Sequence, residues 1–118
     1  MTEFVLLYRI STEQRRAAMG TPEAAQQNMK KWRAWMDEMS RHGQLKNVGQ
    51  PLDDGGKVVV GTRKSIIDGP YAETKDLIGG YSVVEAPDIE QAAKIASGCP
   101  ILESGGSVEV RPVRRFEP

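Results

Sequence analysis

The chain is poor in the residues from which most reactive centres are built. Its 118 residues include one cysteine, Cys99, and one histidine, His42. A lone cysteine excludes an internal disulfide. One histidine and one cysteine do not make a metal site of the usual spacing, so neither a metal nor a cofactor is expected. Cys99 follows the end of an expected helix, where the dipole raises a thiol pKa, which argues against a nucleophile. An excess of either charge is also lacking, because sixteen basic residues balance sixteen acidic ones. A nucleic-acid binder would show a basic stripe, and here the charges are interspersed. Arg111, Arg114 and Arg115 are diluted by Glu109 and Glu117 and read as a solvated tail. No apolar run approaches a membrane span and no signal-like segment opens the chain. The expectation is a single domain, residues 1–118, in the cytoplasm, with no nucleic-acid and no membrane partner.

What is present is a clear alternation of elements. Phe4–Tyr8 is a short run of β-forming residues and reads as a buried strand. Residues 11–20 have no sustained apolar period, which predicts a loop or a single helical turn. Thr21, Pro22 and Glu23 then supply an N-cap, a first helical position and a dipole partner. Ala25, Met29, Trp32, Met36 and Met39 follow at helical steps, Trp35 widens that stripe, and Gly43 ends it. Residues 44–67 read as a β-meander, with a hairpin turn at Asp53-Asp54-Gly55-Gly56. Residues 79–86 are a further strand. Asp88 and Gln91 suggest a capping box for an alanine-rich helix that stops at Gly98. The loop "CPILESGG" leads into a closing strand, "SVEVRPV", with Val108 and Val110 on one face and Ser107, Glu109 and Arg111 on the other.

This order is β, α, several β, α, β. It predicts an α+β fold, a ferredoxin-like βαββαβ sandwich with both helices on one sheet face. The other face must be polar or covered, and its mixed apolar and charged character points to a homodimer.

Candidate site residues gather around "IIDGPYAET", residues 66–74. Asp68 either caps a turn set by Gly69 and Pro70 or stands at a cleft mouth as a general base. Glu73 and Lys75 share a face in extended chain and could pair at a pocket rim or simply be solvated. Tyr8, Tyr71 and Tyr81 suit pocket walls or core packing. Trp32 and Trp35 read as packing between helix and sheet. Glu109 and Arg111 would pair across a dimer interface, with anion binding by Arg111 as the alternative. The glycine-containing stretches lack a phosphate-loop pattern.

Residues 68–113, "DGPYAETKDLIGGYSVVEAPDIEQAAKIASGCPILESGGSVEVRPV", closely resemble the DGPF-type members of the YCII-related proteins. Tyr71 stands where that motif has phenylalanine, and the first strand and long helix fall in the expected order. The resemblance implies a dimeric α/β barrel, with two ferredoxin-like subunits packed sheet to sheet and a cleft in each. Some members carry a His and an Asp near the cleft and are suggested to be enzymes. Others are linked to extracytoplasmic-function sigma factors. The slot for the helix histidine falls here on Trp32, which cannot shuttle protons and would favour a flat or aromatic ligand. The expected function is therefore binding of a small organic ligand near Asp68, Glu73 and Tyr81. Any catalysis would be of acid/base or lyase type, with Asp68 as the catalytic residue. The alternative is a non-catalytic dimeric regulatory or protein-interaction module.

Overall fold

Alternation along the first strand decides which way the sheet faces. In β1, Thr2–Ile10, the side chains of Phe4, Leu6, Tyr8 and Ile10 are buried, while Val5, Leu7 and Arg9 between them are half-buried. The computed structural model describes residues 1–70 and 76–116. After β1 come α1 (Thr12–Met19), α2 (Pro22–Arg41), β2 (Leu45–Asn47), β3 (Gly56–Val60) and β4 (Ser65–Gly69). β5 (Leu77–Ala86), α3 (Ile89–Ala96), a 3₁₀ turn (Pro100–Ser104) and β6 (Ser107–Pro112) complete the order.

Strands β2, β5, β1 and β6 form one antiparallel sheet in that order. Each central strand is followed by helix and then by an edge strand, which gives two split βαβ halves and the expected ferredoxin-like α+β fold. In register, Leu6 lies between Ser82 and Val110, and Phe4 lies beside Val84. Those side chains meet Met39, Ala92 and Ala96 from the helices in one apolar cluster. Ala92 and Ala96 are small enough to let α3 settle close to the strands.

The long helix starts as the sequence implies. The Thr21 hydroxyl accepts the Ala24 N–H at 3.1 Å, and Pro22 occupies the first turn. Gly43, at φ +67°, takes the left-handed position just past its end. The Asp88 carboxylate accepts the Gln91 N–H at 2.8 Å at the start of α3.

Three expectations need correction. Residues 11–20 are not a loop: they hold α1, opened by a reciprocal capping box between Ser11 and Gln14. This helix has no fully buried residue, so it leaves no apolar stripe in the sequence and its cap is its only strong signal. The segment Asp53–Gly56 is not the hairpin turn. The chain reverses at residues 61–64, where Gly61 and Lys64 both have positive φ. Finally, β3 and β4 do not extend the main sheet but form a separate two-stranded ribbon.

One polar group lies at the centre of the core. Ser82 is 0% exposed, accepts the Tyr8 hydroxyl at 2.7 Å and donates to the Val48 carbonyl at 2.7 Å. Ser82→Ala strands both neighbours, so urea unfolding should show a loss of about 1–3 kcal/mol. Tyr8→Phe leaves the Ser82–Val48 bond in place, and should cost less than Ser82→Ala in the same assay. An unchanged Ser82→Ala midpoint would mean that neither neighbour depends on this hydroxyl.

Candidate ligand-binding cleft

A cleft of about 580 Å³ opens between α1, α2 and the ends of β1 and β5. That volume falls within the usual range for small-molecule sites. Its helix wall comes from spacing along α2, where residues three and four apart share a face. Met29, Trp32, Arg33 and Met36 line it, and α1 adds Arg15, Ala18 and Met19. Trp32 meets the Tyr8 ring edge-on at 4.8 Å, and Trp35 at 5.8 Å. Trp35 is turned toward α3, where its indole N–H donates to the Ile95 carbonyl at 3.3 Å. The two tryptophans thus divide the work, Trp35 tying helices together and Trp32 facing the cleft.

The opposite wall is the segment 48–51, which is pinned at several points. Ser82 holds the Val48 carbonyl, Asn47 accepts the Gly49 N–H at 2.8 Å, and Pro51 bridges to Gly80. Gly49 has φ +72°, and a Cβ there would lie 1.7 Å from the Tyr81 carbonyl oxygen. Only glycine allows this crossing. Gly79 and Gly80 in β5 leave the floor without side chains. α1 is held across the mouth by polar anchors. Arg15 bonds Asp54 at 2.7 Å and the Leu52 carbonyl at 2.9 Å, and Gln14 donates to Gly105 at 3.0 Å.

Of the residues singled out in the sequence, Tyr8 and Trp32 line this cleft together. Tyr81 borders it beside Gly49, while its register with Leu7 places its side chain on the face the helices leave uncovered. Asp68 is not brought to the cleft of its own chain. It sits on β4, 91% exposed, paired with Lys57 at 2.5 Å. Arg111 is also elsewhere: it pairs with Glu109 at 3.1 Å on β6. Glu109 takes Arg9 as well, at 3.3 Å, so these charges pair within one chain. Tyr71, Glu73 and Lys75 lie outside the described residues. Reading the sequence missed Arg15, Arg33, Met19 and the segment 48–51. Of these, only Gly49, between an asparagine-led turn and Pro51, left a local trace.

The cleft's chemistry follows from its lining. Among the described residues its walls carry no carboxylate, histidine or thiol, and their charged groups are Arg15 and Arg33. Burial pushes the Tyr8 hydroxyl well above its ordinary pKa, a shift that the Ser82 hydrogen bond only partly opposes. Tyr8 therefore stays protonated and committed as a donor. The single histidine, His42, lies at the end of α2 beside a second groove, with its ring nitrogen 2.9 Å from Glu38. That contact, then the Arg41 guanidinium, holds the Glu38 carboxyl below its usual range.

A family model described as YCII-related domain matches residues 4–117. No curated protein matches the chain.

Burial also gives the core a pH dependence. The Cys99 thiol, behind the aromatic cluster, is pushed up from 9.0 to about 12 by desolvation. Above pH 9 the unfolded chain releases this proton and the folded chain keeps it, so stability falls as pH rises. Tyr8 adds a loss of the same sign above its ordinary value of 10.0. Urea unfolding should therefore weaken progressively above about pH 9. Cys99→Ala should flatten the first part of that decline. A wild-type profile level up to pH 10.5 would contradict the burial of both groups.

Proposed function

We propose that this chain, which belongs to the YCII-related family, binds a small, flat, largely apolar molecule bearing one anionic group. The observation that carries this reading is a cleft whose walls are aromatic and methionine side chains and whose charged groups are both arginines. Trp32 and Tyr8 offer ring edges and faces to an aromatic ligand. Met19, Met29 and Met36 can adjust around it, because methionine is flexible and polarizable. Arg33 forms no ion pair among the described residues and suits a carboxylate, which a guanidinium meets in bidentate geometry.

Binding is favoured over turnover because the described walls hold no group ready to take a proton. An acid/base reaction with Asp68 as base would need the DGPY segment to reach a cleft that its own chain does not present to it. In our reading the protein is a cytoplasmic homodimer, a setting that suits a chain with one buried thiol. The uncovered sheet face supports the pairing. Val5, Leu7 and Val83 run through its centre, and Arg9, Glu109, Lys46 and Glu85 flank them.

A thermal-shift and tryptophan-fluorescence screen should compare aromatic carboxylates with their uncharged amides, and with phenols and amines. The carboxylates should bind roughly tenfold more tightly than their amides, and Arg33→Gln should remove that difference. Met29→Glu, at a position 55% exposed, should weaken them without unfolding the helix. Asp68→Asn should bind like the wild type. No shift from any aromatic compound would sink the reading, and a shift lost only in Asp68→Asn would move the site to the DGPY motif.

A further inference from the structure

The ribbon β3–β4 carries β-branched side chains on both faces, beside the Lys57–Asp68 pair on one of them, and among the described residues it packs extensively only on itself. Val59 and Ile66 are paired on one face, 63% and 68% exposed. Val58 and Ile67 are paired on the other, with Val60 beside them. Its main contacts are between its own two strands. An isolated two-stranded ribbon is marginal in water, and one that exposes β-branched side chains on both faces has every reason to be covered.

The whole chain shows the same deficit of cover. It exposes 8496 Å², against about 6,300 Å² for a compact monomer of this mass. Its radius of gyration is 15.8 Å, where about 13.5 Å is usual for this length. The molecule is a plate, 48 × 46 × 19 Å. The excess surface is well above the ~800 Å² that each partner of a standard interface buries.

A second copy of this chain fits that surface best. The ribbon follows the bridge between Pro51 and Gly80 in the chain and stands apart from the main sheet, whose uncovered face is the other large surface left open. A two-fold interface must be self-complementary. This face offers an apolar centre at Val5, Leu7 and Val83, with Arg9 and Lys46 balanced by Glu109 and Glu85. The chain has no net charge, so two copies approach without long-range repulsion.

We propose that β3–β4 is an arm that closes over a second copy, burying Val59 and Ile66 against the partner. The inference rests on the homodimer reading and adds to it the element that secures the pair. Val59→Lys with Ile66→Lys tests it, because neither side chain belongs to the chain's own core. Sedimentation of the wild type should show a dimer at micromolar concentration. The double variant should dissociate at least ~30-fold more readily, as loss of a central contact does. Its near-UV spectrum and its aromatic-carboxylate binding should be unchanged, which separates dissociation from misfolding. In hydrogen exchange, wild-type amides of residues 57–68 should be protected at concentrations that hold the dimer and lose protection on dilution. A wild-type dimer with unaltered affinity in the double variant would overturn the arm and leave the homodimer standing. A monomeric wild type would overturn both.

Discussion

The relay from Tyr8 through Ser82 to the Val48 carbonyl is the constraint on which the rest of the structure hangs. It places two hydroxyls in the buried core, where an unmade bond costs desolvation of the group, and ties them to a peptide carbonyl of the partly exposed segment 48–51. All three groups are satisfied, so the relay can be tolerated only in one arrangement of β1, β5 and the segment 48–51. That segment is a wall of the cleft and β1 supplies another, through Tyr8 itself. The core and the candidate site are thus not separate achievements of the fold. Loosening one member of the relay loosens the wall that a ligand would touch.

Gly49 serves the same end by shape. Once Val48 is tied to Ser82, the chain must cross directly over the Tyr81 carbonyl to reach the Pro51 bridge. The crossing needs both a positive φ and the absence of a Cβ, and glycine alone supplies the two together. The cleft then owes its depth to Gly79 and Gly80 below and to the aromatic edge of Trp32 beside it.

Elements with periodic burial were legible in the sequence, and those held by polar anchors were not. β1, β5 and α3 bury one face, α2 and β6 turn their apolar residues to the same core, and the spacing of those residues says so. α1 buries no residue fully and is held by Gln14 and Arg15 reaching across to Gly105, Leu52 and Asp54. No periodicity can report contacts of that kind, because each depends on a partner dozens of residues away. The candidate site divided along the same line. Tyr8 and Trp32, which line the cleft, stand out as aromatic residues on legible elements. Arg33 leaves no such mark, because an arginine on an exposed helix face looks like any solvated charge. Asp68 stands in a turn motif that suits either a cap or a cleft mouth, and local turn chemistry does not say where a ribbon will point.

The division of the sheet into two unlike faces follows from the placement of the helices on one of them. Among the described residues, helices of eight, twenty and eight residues lie over one face of the four-stranded sheet. Covering the second would need another layer, and the described residues form none there. The chain instead keeps that face half apolar and half charged, and extends fourteen residues, from Gly56 to Gly69, beyond the sheet. Such an extension is costly to a monomer, since ordering it gains little burial in its own chain. It becomes favourable when another surface receives it. The cleft and the exposed ribbon thus belong to one plan, in which the helices close one side of the sheet and, among the described residues, nothing closes the other.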